Sequence, residues 1–265
     1  MTDQAVSSAA VVGAVGRMGE RVRAAIEAEP RLRIGGAIEA PGHPSNGEPI
    51  GGGVSVSEDP RSSLAGCAVA IDFSTPAATL RVLREAAAMG VAYVCGTTGF
   101  SDEQTAQISD FAKQIPIVHA PNFSLAVNVL AWLTREAARR LGPGYDAEIF
   151  ELHHSAKRDA PSGTALHLGH AVASGREKKL SEHAVLERAG DTGARPDDAI
   201  GIQALRGGDI AGEHTVMYIG QGERLELAHR ASTRDHFAKG AVRAAVWLIG
   251  RPPGLYPIAQ VFGLE

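Results

Sequence analysis

From residue 9 to residue 118, short apolar runs alternate with helix-like stretches, and this alternation constrains the fold more than any other feature of the chain. The apolar runs are 9–12, 32–38, 68–73, 92–95 and 115–118. Between them the spacing predicts helices over 18–28, 76–89 and 102–114. Pro76 follows Ser74 and Thr75, a capping residue and then proline, and Ser101 precedes Asp102 and Glu103, a cap with acids in the first turn. Such alternation points to a parallel sheet with crossover helices. Residues 43–53 are rich in glycine and proline and read as a loop.

Beyond Leu125 the pattern changes. A helix over 127–141 ends at Gly142-Pro143-Gly144, and strand-like runs follow at 147–152, 200–205, 214–219 and 225–229. Turns at Gly207-Gly208 and Gly220-Gln221-Gly222 suggest antiparallel pairing. The amphipathic stretch 238–249 is expected to return the chain to its first domain. The fold class is therefore α/β: a Rossmann-like N-terminal domain with a parallel sheet (1–124 and 235–265), plus an α+β C-terminal domain with a mixed or antiparallel sheet (125–234). The first is expected to bind a dinucleotide, and the second to bind substrate and mediate oligomerisation.

Composition removes several classes of function. Twenty-six basic against 30 acidic residues give a net charge of -4, which offers no electrostatic case for nucleic acid or an anionic membrane. No apolar run reaches membrane-spanning length. The N-terminus MTDQAVSS lacks the basic region of a secretory signal. The only two cysteines, Cys67 and Cys95, have no metal-ligand spacing and fit a reducing, cytoplasmic setting; no metal site is expected.

The turn Gly13-Ala14-Val15-Gly16-Arg17-Met18-Gly19 joins the first apolar run to the first helix. Glycines there permit a tight turn and close approach to a pyrophosphate, which the helix N-terminus attracts. The spacing GxxGxxG departs from the common GxGxxG at Val15, and an ordinary strand-to-helix turn is the alternative. Glu39, at the end of the second run and about 20 residues after Gly19, suits the hydroxyls of an adenosine ribose. Ala40 follows it in place of a cation that would pair a 2′-phosphate, so NADH is expected to be preferred, with NADPH possible through Arg17. Two further loops fall at carboxyl ends of predicted strands: Gly96-Thr97-Thr98-Gly99 and Ala120-Pro121-Asn122-Phe123. A capped turn and a domain hinge remain alternatives for these.

The run 151–166, ELHHSAKRDAPSGTAL, concentrates proton-transfer groups and cations. In extended chain His153 and His154 point to opposite faces and so do different work. Ser162 reads as the cap of a helix whose first amides, at Gly163 and Thr164, with Lys157 nearby, would hold a carboxylate. That describes a pocket for an acidic substrate with histidine and lysine as proton donors. A polar loop before a capped helix is the alternative.

These segments, with Ala120-Pro121-Asn122-Phe123-Ser124 and Ala211-Gly212-Glu213-His214-Thr215, together resemble the 4-hydroxy-tetrahydrodipicolinate reductase family over nearly the whole chain and in the family's order. The resemblance implies hydride delivery from NAD(P)H to C4 of a dihydropyridine-like dicarboxylate in the lysine and diaminopimelate pathway. It implies His153 and Lys157 as the proton-transfer residues and His154, Ser162, Gly163 and Thr164 as substrate contacts. Cofactor contacts implied are Gly13, Ala14, Val15, Gly16, Arg17, Met18, Glu39, Gly96, Thr97, Thr98, Ala120, Pro121, Asn122 and Phe123. It also implies a homotetramer, and closure between the Ser124 and Arg234 regions, where Arg234 is either a hinge contact or a surface group. Two rivals are another two-domain dehydrogenase of a small acid and a non-catalytic dinucleotide sensor; the latter would not need His153, His154 and Lys157.

Overall fold

The computed structural model describes residues 6–264. The expectation about the N-terminal signal falls mainly on residues 1–5, outside the described residues. The chain divides into two compact units, Met1–Ser124 with Asp235–Glu265, and Leu125–Arg234.

In the first unit the strands are β1 (Ser7–Val12), β2 (Leu32–Ile38), β3 (Pro49–Gly51), β4 (Val54–Ser57), β5 (Val69–Asp72), β6 (Ala92–Cys95), β7 (Pro116–His119) and, from the chain's far end, β13 (Gly254–Tyr256). Among the described residues they form one eight-stranded sheet in the order β13-β7-β6-β5-β1-β2-β4-β3. Every pairing is parallel except β3 with β4. The apolar runs lack alternation because both faces of the sheet are covered. Ala9, Val11, Val69, Ile71 and Val94 pack with helices α1 (Arg17–Glu27) and α8 (Asp235–Leu248). Ala10, Val12, Ala70 and Tyr93 pack with α3 (Pro76–Met89) and α4 (Asp102–Phe111) on the other face. Thr75 caps α3 and Ser101 closes a capping box with Gln104 on α4. Two small elements complete the unit, α2 (Pro60–Leu64), capped by Asp59, and α9 (Ile258–Phe262).

Residues 43–53 are not all loop. Residues 49–51 form β3, paired antiparallel with β4 through a turn of positive-φ glycines at 51–53. The hairpin is too short and too glycine-rich to carry an apolar alternation, which is why composition concealed it. The predicted helix 102–114 ends at Phe111, and its last residues continue as turns.

The second unit holds α5 (Leu125–Leu141), β8 (Asp146–His153), α6 (Gly163–Gly175), α7 (Leu180–His183), β9 (Ala184–Val185), β10 (Ile200–Arg206), β11 (Gly212–Ile219) and β12 (Arg224–Ala231). Its sheet is mixed, in the order β12-β11-β8-β10-β9, with β8 antiparallel to β11 and parallel to β10. The inward residues of β8, Ala147, Ile149, Glu151 and His153, are buried. Ala147 and Ile149 pack with Leu130 of α5 and Leu168 and Val172 of α6. The turn at Gly207-Gly208 is not a hairpin. The chain leaves β10, crosses the end of β8, and enters β11 on its other side. Backbone bonds from His154 to Ile210 and from Ser155 to Gly208 hold that crossing. Glycines mark where a chain bends; they do not say which strand it joins next.

Candidate active site

In the first unit, the glycine turn, Glu39, and the loops after β5, β6 and β7 all lie at the carboxyl edge of the sheet. β1 sits between β2 and β5, where the strand order reverses direction and an open parallel sheet presents its crevice. Gly13 takes φ +71, a conformation that favours glycine. A side chain at Gly19 would lie 2.0 Å from the Gly13 carbonyl oxygen, so α1 docks directly on the turn. The N-cap of α1 is Gly16, with no side chain closing the helix end, so its first amides are available to an anion.

The Val15 N–H donates to Glu39 Oε1 at 2.9 Å, which ties the predicted ribose acceptor to the predicted phosphate turn. Both line a cavity of about 860 Å³ with Gly13, Gly16, Ser74 and Arg81. Arg81 donates to the carbonyl oxygens of Glu39 and Glu58, and Arg23, also on the cavity wall, donates to that of Ala14. Arg17 is exposed at the first turn of α1. These features fit a dinucleotide, a dipole and bare amides at one end and a carboxylate at the other.

Not every predicted cofactor residue presents its side chain there. Ala14, Met18, Ala120 and Phe123 contribute theirs to the core, so contact with a ligand would run through backbone. Thr97 is buried too. Its hydroxyl accepts the Ser74 N–H at 3.0 Å and lies 3.3 Å from Asp72 Oδ1. Gly96 leaves room for the Phe73 ring, which a side chain would meet at 2.2 Å. Thr98 and Pro121 are exposed, and Asn122 accepts the Ser124 N–H through Oδ1 at 2.8 Å.

Asp72, fully buried at the end of β5, organises this edge. Thr79 and Tyr93 hydroxyls donate to Oδ2 at 2.6 and 2.7 Å, and the Ser74 N–H to Oδ1 at 2.8 Å. Burial raises its carboxyl above the usual range, against the pull of those donors.

In the second unit the run 151–166 closes around His153. Its Nδ1 lies 2.5 Å from Glu151 Oε2. Arg206, the register partner of His153 on β10, grips both Glu151 oxygens at 2.9 and 3.0 Å. The Ser162 N–H donates to Glu151 Oε1 at 3.0 Å. Burial raises the Glu151 carboxyl, but the donors His153, Arg206 and Ser162 outweigh it and hold it at about 2. His154 points away, as the alternation requires, and its Nε2 lies 3.3 Å from the Arg234 guanidinium. Lys157 Nζ donates to both Asp159 oxygens at 2.9 Å.

Ser162 caps α6, accepting the Ala165 N–H at 3.2 Å, and its Oγ also lies 3.3 Å from His214 Nε2. With its N–H and hydroxyl so engaged, it shapes the helix end, while Gly163 is exposed there. Burial, and then the neighbouring His153, push His214 down to about 3. The sequence reading assigned no role to Glu151, Arg206, Asp159, His214 or Asp72. Glu151 carried a positional signal, two residues before His153 on one strand and so on the same face, while Asp159 and His214 lay inside quoted motifs without a role.

Residues 7–123 match the family described as dihydrodipicolinate reductase, N-terminus, and residues 126–262 the family described as dihydrodipicolinate reductase, C-terminus. This chain belongs to the dihydrodipicolinate reductase family. Relatives named 4-hydroxy-tetrahydrodipicolinate reductase include one from Anaeromyxobacter dehalogenans, 47% identical over 264 residues, covering 96% of this chain and 97% of that protein. Another, from Desulfotalea psychrophila, is 48% identical over 262 residues, with the same coverage. Among solved structures, a dipicolinate-bound dihydrodipicolinate reductase from Paenisporosarcina shares the fold at a TM-score of 0.80 and 24% identity, covering 96% of this chain and 98% of that one. The dihydrodipicolinate reductase fold extends to more distant oxidoreductases: an aspartate semialdehyde dehydrogenase from Vibrio cholerae superposes at a TM-score of 0.56 with 12% identity, covering 92% and 98%.

Proposed function

We propose that this chain reduces 4-hydroxy-tetrahydrodipicolinate with a nicotinamide cofactor, in diaminopimelate and lysine biosynthesis. The observation that carries the reading is the run that follows β8, which sets His153 against Glu151, Lys157 against Asp159 and then the Ser162-capped start of α6. A bound NADH or NADPH supplies the hydride. The remaining work belongs to the chain. The amides of Gly163 and Thr164, at the positive end of α6, take one substrate carboxylate, with Ser162 holding that helix end in shape. His154 and Lys157 supply further polar contacts. Water is lost from the 4-hydroxy form before hydride reaches C4 of the resulting dihydropyridine, and His153 or Lys157 then hands over the one proton that quenches the enamine carbanion left by reduction. Lys157 is held by Asp159 beforehand, so substrate binding exchanges one carboxylate partner for another.

NADH is the preferred cofactor. The Glu39 carboxylate favours ribose hydroxyls, Ala40 offers no cation, and Arg23 and Arg81 already donate to backbone carbonyls. A kcat/KM higher with NADPH overturns this preference. The enzyme assembles as a homotetramer through the outer face of the second sheet, where Phe150, Leu152, Leu205, Met217 and Ile219 are apolar and not fully buried. Light scattering in solution tests that. The free, buried cysteines Cys67 and Cys95 suit the reducing cytoplasm.

The deciding assay follows NADH oxidation with substrate made fresh from aspartate semialdehyde and pyruvate. The expected result is turnover by the purified chain, with His153→Ala and Lys157→Ala each lowering kcat about 100-fold or more. Near-native rates in both variants refute the site.

A further inference from the structure

Glu151 and Arg206 have no part in the reaction as set out above, yet together they determine what His153 can do. Glu151 is fully buried on β8, with His153 two residues on and facing the same way. Three partners surround its carboxylate: the guanidinium of Arg206, the N–H of Ser162 and the Nδ1 of His153. An arginine and a peptide N–H only donate. They require both oxygens to accept, so the carboxylate carries no proton. The hydrogen shared with His153 therefore sits on Nδ1, and Nε2 is left as the nitrogen that gains and loses a proton.

Two further features agree. Nε2 faces the side of Gly212 that lacks a side chain; a β-carbon there would lie 2.9 Å away. His214 stands edge-on to His153 with ring centroids 5.2 Å apart and does not compete as a second cation. Ser162 Oγ accepts the Ala165 N–H and lies 3.3 Å from His214 Nε2, while burial keeps His214 neutral. Arg206 has a separate effect. It balances the charge of Glu151 and holds both carboxylate oxygens in place beside the imidazole.

We propose that Glu151, clamped by Arg206, is a positioning residue that fixes His153 with its hydrogen on Nδ1 and its Nε2 free to exchange a proton with substrate. The proposal rests on the reading of His153 as a proton-transfer group. The charged and titratable groups around that ring are Glu151 from β8, Arg206 from β10 and His214 from β11. Lys157 and Asp159 lie beyond the end of β8, and His229 is paired with His214 on β12.

The test measures kcat and KM across pH, with NADH and freshly generated substrate, for the full chain and its variants. Glu151→Gln lowers kcat about 100-fold or more with little change in KM, the scale of a misplaced general acid. In the His153→Ala background the same substitution lowers kcat no further, because its effect passes through the missing ring. Arg206→Met leaves the Glu151 charge unbalanced and moves the histidine-dependent limb of the kcat profile to higher pH. Imidazole ¹⁵N spectra in alkaline buffer show the Nδ1–H form of His153 in the native chain and its loss in Glu151→Gln.

Additive losses in the double variant, or an unchanged His153 tautomer in Glu151→Gln, overturn the proposal. If Glu151→Gln does not fold, an unmoved limb in Arg206→Met overturns it instead. Absence of turnover by the native chain sinks the proposed reaction rather than this inference, which the ¹⁵N spectra then decide alone.

Discussion

Each unit of this chain buries one carboxylate at the end of a central strand, and the two are handled in opposite ways. Asp72, at the end of β5, meets mainly hydroxyls, from Thr79, Tyr93 and Thr97, with one peptide N–H. Glu151, near the end of β8, meets a guanidinium, a peptide N–H and an imidazole. A hydroxyl donates or accepts as required, whereas a guanidinium and a peptide N–H only donate. The first site therefore tolerates either protonation state, and burial raises Asp72. The second enforces the anion, and Glu151 is held at about 2. Burial alone does not decide the charge of a carboxyl; the kind of donor around it does.

Substitution by the neutral amide breaks this contrast most directly. Glu151→Gln leaves Arg206 without its anion and sets an amide nitrogen against at least one obligate donor. It should destabilise the chain by about 3 kcal/mol, the scale for breaking a buried ion pair, as read from urea unfolding. A loss under 1 kcal/mol would place the two sites in one class. Asp72→Ala removes the carboxylate that accepts from Thr79, Tyr93 and the Ser74 N–H and should be destabilising by about 2 kcal/mol. Gly212→Ala sets a methyl group 2.9 Å from His153 Nε2 on a backbone at φ +154, and should lower kcat about tenfold together with a lower unfolding midpoint. Asp72→Asn should be the mildest, within about 1 kcal/mol of the native chain, because the hydroxyls of Thr79 and Tyr93 can reverse to accept from the new amide.

The pH dependence of stability sharpens the same comparison. The folded-state pKa of Glu151 lies below its unfolded value, so its contribution is present above about 4.5 and fades as pH falls towards 2. That of Asp72 is raised, so its protonated form stabilises the fold below the unfolded value near 3.8, and this contribution is lost as pH rises through the folded pKa. The stability gap between native chain and Glu151→Gln should narrow on acidification. No such narrowing should appear for Asp72→Asn, and parallel behaviour in the two variants would refute the assignment of opposite shifts.

What the sequence disclosed follows the range of the interactions. The parallel sheet was legible because β5 and β6 are buried on both faces and spell uninterrupted apolar runs. The caps at Thr75, Ser101 and Ser162 were legible because each acts within three residues. The paired histidines and Lys157 stood out as a dense run. The β3–β4 hairpin was hidden by its shortness, and the β10–β11 crossing because pairing is decided by the sheet and not by the glycines at the bend. Arg206 was invisible for a related reason: only the parallel register of β8 and β10 sets it beside His153. The side-chain roles of Thr97 and Phe123 were hidden because the local motif does not reveal that Asp72 and the core engage them.

The crossing between β10 and β11 also bears on synthesis and folding. Arg206 follows Glu151 by 55 residues, and His214 follows Ser162 by 52. A growing chain that has emerged only as far as β8 carries a carboxylate with no counter-ion, and that part of the strand must stay wet. Desolvation of this corner waits for two later strands to arrive on either side. Catalytic competence should thus appear late during refolding, after helical signal has largely recovered, making enzyme activity a reporter of completed sheet assembly.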